Sequence, residues 1–523
     1  MLSSRRVAAW GALLACLSVT LEARGPEEEG QYKGLSNYSF HDKFMFGVAS
    51  AAFQIEGGWN AGGKGPSMWD VYLHEHPNYT LDSSNADVTA DSYRLYKEDV
   101  SMVKDLGVTY YRLSISWPRL LPQGTDNYVN EDGVRYYKEL FETLLANGIT
   151  PVVTLYHWDL PQSLMVLGGW ANPVMVDYFE DYARVAFKLF GGLVKIWTTL
   201  NEPHQHCSNG YGTDFFAPAL SSHGVGEYLC VHYMLLAHAR AYHLYNNYFK
   251  ATQGGKIGIT LDAFWAEPKV VNDPQDKIAS ERYMQMHLGM YAHPIFSKDG
   301  DYPLSVRQRV DAMSHHQGYS RSRLPYFTPE EVESLRGSSD FFGLNHYTSY
   351  LMTPSSLEPN WKVPSLDHDT GVRIEQEPSW PKPGASWLSV YPPGFRKLLN
   401  WVSNNYGRDI PIIITENGVS DTGGINDYAR VDYYNRYLYQ LLLAINIDHC
   451  NVQGYFAWTL MDDFEWKDGY VSKFGLYHVD FDSPNKTRTK KLSAYKYQEI
   501  VSTRLINFDT LDKRSLRRTV NRI

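Results

Sequence analysis

Two glutamates stand directly after β-forming runs far apart in the chain, Glu202 in Thr199-Leu200-Asn201-Glu202-Pro203 and Glu416 in Ile414-Thr415-Glu416-Asn417-Gly418. Two carboxylates held on rigid strand ends can divide the work of breaking a glycosidic bond: one gives a proton to the leaving oxygen, and the other attacks or stabilises positive charge. Either glutamate alone would read equally well as half of a structural ion pair. Further strand ends carry Gln54-Ile55-Glu56-Gly57-Gly58-Trp59, the run Tyr111 to Arg119, Tyr156-His157-Trp158-Asp159-Leu160-Pro161, Asn345-His346-Tyr347-Thr348-Ser349 and the run Trp458 to Trp466. Bidentate polar groups beside flat aromatic faces are what a pyranose needs, since it offers a ring of hydroxyls and patches of C–H.

These strings must be positioned by a common frame. Apolar strand-like runs cover Phe44 to Ala52, Val108 to Trp117, Thr150 to His157, Lys195 to Leu200, Lys256 to Trp265, Phe341 to Tyr347, Pro411 to Thr415 and Val452 to Leu460. Pro411-Ile412-Ile413-Ile414-Thr415 is apolar without alternation, as expected for a parallel strand covered on both faces. Between the runs lie amphipathic helices. One places Tyr93, Tyr96, Val100 and Val103 on a single face and stops at Gly107; another is expected to start with Asn172 as N-cap and Pro173 as first helical residue, burying Phe179, Tyr182, Ala186 and Leu189. Strand followed by helix, eight times over, predicts a single (β/α)8 TIM barrel with long βα loops, whose chemistry sits at the C-terminal ends of the strands. All seven motifs lie at such ends, and a structural ion pair has no reason to select one rim. The Pro- and Ser-rich stretch from Thr353 to Pro393 reads as a long loop ahead of the seventh strand.

With these motifs in this order, the sequence resembles glycoside hydrolase family 1, the β-glucosidase family, from about Phe40 to about Arg504, and is most like its secreted animal, insect-type members. The resemblance implies a retaining β-glycosidase acting on O-linked β-D-glucosides, with Glu416 as nucleophile and Glu202 as acid/base. It further implies that Arg112 and Tyr347 keep Glu416 ionised, that Asn201 contacts the sugar 2-hydroxyl, that Gln54, His157 and Glu465 read other hydroxyls, and that Trp458 and Trp466 supply an aromatic platform and an indole donor. Asp463, Tyr391-Pro392-Pro393-Gly394 and Ala217-Pro218-Ala219 depart from the usual pattern and bear on the leaving-group side. The segment His204-Gln205-His206-Cys207 after the acid/base is unusually polar, and either serves the aglycone or faces solvent. Retention of Glu202 favours O-glycosides over thioglucosides. Transglycosylation on the same site and a non-catalytic sugar-binding role are the rival readings.

The first 23 residues read as a signal peptide, with Arg5 and Arg6 ahead of the apolar run Val7 to Leu21 and the small Ala23 at a cleavage point, so a secreted protein is expected. Residues 24–39 form an N-terminal extension, 40–504 the barrel and 505–523 a basic C-terminal tail. Sequons at Asn37, Asn78 and Asn485 are candidate glycosylation sites. Of the four cysteines Cys16 leaves with the leader, so at most one internal disulfide forms among Cys207, Cys230 and Cys450. A balance of 49 basic and 58 acidic residues, net −9, gives no sign of a nucleic-acid partner, and no later stretch is long enough to span a bilayer. His315 and His316 have no third ligand at suitable spacing; no metal and no cofactor are expected, and the partner is a small-molecule β-glucoside.

Overall fold

The apolar runs form eight parallel strands: β1 (Met45–Ala49), β2 (Tyr110–Ser114), β3 (Thr150–Tyr156), β4 (Ile196–Asn201), β5 (Lys256–Asp262), β6 (Phe342–Asn345), β7 (Ile412–Asn417) and β8 (Val452–Trp458). They close into a barrel in the order β1-β8-β7-β6-β5-β4-β3-β2, each neighbour parallel, with helices in the connections. The computed structural model describes residues 32–355 and 363–511; the expected leader and the basic run from Lys513 lie outside them. All six residues of β7 are buried, as its unbroken apolar run requires when barrel interior and outer helices cover both faces.

The helix of the first connection, Ser92–Asp105, buries Val100 and Val103 as its periodicity predicts. Asp99 is buried beside them, where Arg488 pairs with it at 2.9 Å. The helix Met175–Phe190 starts two residues later than expected. Asn172 caps a tighter turn instead: its Oδ1 accepts from Val174 N at 3.1 Å, while Met175 N and Val176 N bond three residues back to Asn172 O and Pro173 O. Its apolar stripe buries Phe179, Tyr182 and Ala186, and Leu189 is only partly buried.

The stretch from Thr353 to Pro393 has more order than a loop. Ser349–Pro354, Val372–Glu375 and Trp265–Pro268 form a three-stranded sheet beside the barrel, with a short helix at Leu366–Thr370. Near the termini, Ser36 N bonds Ile506 O and Phe40 N bonds Arg504 O, so residues flanking the barrel on both sides pair with each other. Cys207 and Cys230 form a disulfide, and Cys450 is a buried free thiol. His315 and His316 occupy the last turn of the helix Leu304–His316. Among the described residues no helix is long and apolar enough to cross a membrane.

Candidate active site

A cleft opens at the C-terminal end of the barrel, and Gln54, His157, Glu202, Tyr347, Glu416, Trp458, Glu465 and Trp466 all line it. Glu202 follows the last residue of β4 and adopts φ +47°, a left-handed backbone that costs a non-glycine residue about 1–2 kcal/mol. Trp158 and Trp466 share that region, at φ +72° and +50°. Strain gathered at one cleft is a mark of a functional site. Glu416 lies within β7, and Gly418 after it is required by a close approach: a Cβ there would sit 2.0 Å from Trp458 O.

Arg112 and Asn201 lie one layer behind the lining, both almost wholly buried. Arg112 projects from β2 with its guanidinium forked, Nη1 donating to Glu416 Oε1 at 2.5 Å and Nη2 to Asn201 Oδ1 at 2.6 Å. Tyr347 OH donates to the other oxygen of Glu416, Oε2, at 2.7 Å. Glu202 receives one donor, Asn345 Nδ2, on Oε1 at 2.7 Å. The same amide lies 3.2 Å from Asn201 Oδ1, and Thr415 Oγ1 fixes its orientation by donating to Asn345 Oδ1 at 2.7 Å. An unbroken series of hydrogen bonds thus joins the two carboxylates through Asn345, Asn201 and Arg112. Asn345 was visible in the sequence within Asn345-His346-Tyr347-Thr348-Ser349, yet its bridging role depends on barrel register, which pairs it with Glu416 on one side and Asp262 on the other.

The two carboxylates sit in different fields. Burial pushes Glu202 well above the usual carboxylate range, and the charges of Asp262 and Glu416 push the same way, against one hydrogen bond from Asn345 and the charge of Arg112. Burial raises Glu416 as well, but Arg112 and the Tyr347 hydroxyl pull it back, so it is raised less. Glu202 is the better proton carrier and Glu416 the better anion.

Polar atoms around them lack partners in a way that suits a polyol. His157 Nε2 lies 3.0 Å from the Asn201 amide donor, which leaves its proton on Nδ1; burial and Arg112 keep the ring neutral, and the buried Nδ1 has no partner. Gln54 Nε2 donates to Phe464 O at 3.0 Å and Glu465 Oε2 at 3.3 Å, and its buried Oε1 is left free to accept. Burial, then Asp463, pushes the Glu465 carboxyl well up. Trp458 and Trp466 lie nearly parallel to the His157 ring, at 22° and 16°, with centroids 6.0 and 6.1 Å away.

Toward the mouth the lining turns aromatic, with Phe215, Phe216, Phe264, Tyr350 and Trp387. None of these was singled out in the sequence: Phe264 lies within the run expected as a strand, which ends instead at Asp262, and the others sit on connections whose course is set only once the barrel closes. Asp262 and Gln205 line the cleft as well. The polar segment after Glu202 does not face solvent: His204 and His206 are buried, and His206 Nε2 lies 3.1 Å from Tyr156 OH. Asp463 is buried outside the lining, with neither carboxyl oxygen hydrogen-bonded. Asn37, Asn78 and Asn485 are all exposed, although Thr80 of the second sequon is buried.

The family model for glycosyl hydrolase family 1 matches residues 36–505. Myrosinase 1 of Brevicoryne brassicae is 44% identical over 468 residues, covering 89% of this chain and 99% of the relative. Among solved structures, an aphid myrosinase superposes with a TM-score of 0.85 at 44% identity, covering 89% of this chain and 99% of its own. A rice β-glucosidase mutant in a covalent complex with Glc superposes at 0.83 with 38% identity, covering 88% of this chain and 99% of its own.

Proposed function

The chain belongs to glycosyl hydrolase family 1 and is a glycoside hydrolase, and from that premise we propose that it is a retaining β-glucosidase acting on O-linked β-D-glucosides, with Glu416 as nucleophile and Glu202 as acid/base. The observation that carries this reading is the contrast between the carboxylates. Glu416 is held by two donors and Glu202 by one, and Glu202 is raised further. In the first step a Glu416 oxygen attacks the anomeric carbon while the proton of Glu202 passes to the glycosidic oxygen and the aglycone leaves. Once Glu416 is an ester its charge is gone, and the acidity of Glu202 rises. Glu202 then takes a proton from water, whose oxygen attacks the anomeric carbon and frees Glu416. Two displacements at one carbon return the β-anomer.

The unpartnered Gln54 Oε1 and His157 Nδ1, with Glu465, provide an acceptor, a donor and a carboxyl for the sugar hydroxyls, and Asn201 serves the 2-hydroxyl from behind. Trp458 and Trp466 supply the aromatic faces, and the aromatic mouth suits an aryl or otherwise apolar aglycone. A second reading, S-linked β-glucosides, is favoured by the relative named myrosinase. A sulfur leaving group needs little protonation, so a donor as well supported as Glu202 favours the O-linkage.

Hydrolysis of paired aryl O- and S-β-glucosides by wild type and Glu416→Gln tests this. Release from the O-glucoside at the higher kcat/KM by wild type alone is the expected result; preference for the thioglucoside would install the second reading, and binding of glucosides without turnover would refute both. We also propose a secreted glycoprotein processed after residue 23, with glycans on Asn37, Asn78 and Asn485, whose side chains are exposed. Enzymatic deglycosylation of protein recovered from the medium should lower its mass.

A further inference from the structure

Immediately after Glu202 the chain turns through Pro203–His206, and two residues of this turn reach back to the end of β5. His204 Nδ1 lies 2.9 Å from Asp262 Oδ2, and Gln205 Nε2 donates to the same oxygen at 2.8 Å. On the far side of His204, Nε2 lies 2.7 Å from Nδ1 of His287, a ring stacked on Tyr283 with centroids 3.9 Å apart. Facing a carboxylate, His204 Nδ1 donates; in the neutral ring its Nε2 then accepts and His287 Nδ1 donates. Asp262 is 5% exposed, lines the cleft, and is the register partner of Asn345, whose amide donates to Glu202. Its carboxylate is therefore held by the turn that follows the acid, and its backbone is in register with the strand end that bonds the acid.

We propose that Asp262, clamped by His204 and Gln205, is a positioning residue for the acid step: a fixed negative charge beside Glu202 that keeps the Glu202 carboxyl protonated when substrate arrives. The proposal rests on the reading of Glu202 as acid/base. The other groups facing Glu202 are Glu416 from β7, Arg112 from β2, Asn345 and Tyr347 from the end of β6, Glu465 from the connection after β8, and the neutral His157 after β3. Among the charges that raise Glu202, Asp262 stands ahead of Glu416. The two differ in duration. Glu416 is neutralised when it becomes an ester, whereas Asp262 is not consumed by the reaction. Its field persists into the second step, leaving Glu202 a stronger base than it would be without that charge.

The test is the pH dependence of kcat/KM for phenyl β-D-glucoside, whose leaving group needs a proton, in wild type, Asp262→Asn, Asp262→Ser and Glu202→Gln, with folding checked by circular dichroism. The high-pH limb reports deprotonation of the acid in the free enzyme. Removing the neighbouring charge should move that limb to lower pH by about one unit in Asp262→Asn, with the low-pH limb moved less. Asp262→Ser should move it in the same direction, and carries the test if the amide variant does not fold. A purely structural role would lower the rate at every pH and leave the limb in place, and that result overturns the proposal. Glu202→Gln separates the two levels. If it abolishes the high-pH limb while the Asp262 variants leave it unmoved, this inference alone fails; if the limb survives in Glu202→Gln, the assignment of Glu202 fails and this proposal with it.

Discussion

At the inner end of the cleft the two carboxylates and the side chains that hold them sit on barrel strands or within a residue or two of them, and hydrogen bonds lock them to one another: Arg112 to Glu416 and Asn201, Asn345 to Glu202, Tyr347 to Glu416. At the mouth, Phe215, Phe216, Phe264, Tyr350 and Trp387 come from the connections, and they meet one another through ring contacts such as Phe264 with Tyr350 at 5.3 Å. The difference separates two tasks. Chemistry requires charges held to within fractions of an ångström, which strand ends provide. Choice of aglycone requires surface that can vary without disturbing those charges, which loops provide. Inner substitutions should therefore follow the chemistry of the step, mattering only through how much the leaving group needs a proton or an attacking carboxylate, and mouth substitutions should follow the shape and polarity of the aglycone.

The largest effect falls on the inner end. Glu416→Ala should lose nearly all turnover on every glycoside, by several orders of magnitude in kcat, because no covalent intermediate can form. A residual rate that varied with the aglycone would break the comparison. Glu202→Ala should fall by about 10²- to 10⁴-fold on substrates with poor leaving groups, yet keep a measurable first step on dinitrophenyl glucosides, where added azide should restore turnover. Equal losses on both substrate types, with no rescue, would reverse the assignment of roles.

Asn345→Ala removes the one donor to Glu202 and should cost about 10- to 100-fold in kcat/KM. That hydrogen bond favours the ionised carboxylate, so its loss should raise Glu202 further and carry the high-pH limb upward, opposite to the shift expected for Asp262→Asn. A downward shift would contradict the electrostatic account.

Asp463, behind the inner end, bears on stability. Burial, then Asp462, holds its carboxyl well above the ordinary value of 3.8, so as pH rises above that value the unfolded chain ionises first and the folded state loses stability. The contribution is fully present at low pH and is lost toward neutrality. Asp463→Asn should be more stable by about 1–3 kcal/mol at pH 7, a gain in Tm that shrinks as pH falls toward 4. At the mouth, Phe216→Ala loses contacts with Trp158 and Trp466, and should raise KM for aryl glucosides up to about tenfold while sparing alkyl glucosides. A uniform loss across aglycones would show that the mouth shares in the chemistry.

The same division decided what the sequence disclosed. Eight strands and the strings at their ends were legible because an unalternating apolar run followed by polar and aromatic residues has one natural place in a parallel barrel. Tyr347 and Arg112 could be named through the family resemblance that those strings carry. Asn345 was in plain view, yet its bridge between Glu202 and Asn201 exists only in the register of the closed barrel. Asp262 is a solitary acid in Ile259-Thr260-Leu261-Asp262, and nothing local sets it beside Glu202; its clamp comes from His204 and Gln205, which as a polar segment could equally have faced solvent. The mouth aromatics sit on long connections, where composition says little about which side chains turn inward.

The central claim is that Glu416 forms a covalent bond to the sugar. Incubating the protein with 2,4-dinitrophenyl 2-deoxy-2-fluoro-β-D-glucoside and mapping its peptides by mass spectrometry tests it directly, because fluorine slows both steps while the activated leaving group lets the first proceed. One fluoroglucosyl adduct per chain on the peptide containing Glu416, absent from Glu416→Gln, is the predicted result. An enzyme that hydrolyses β-glucosides but carries no adduct, or carries it on Glu202, would contradict the account.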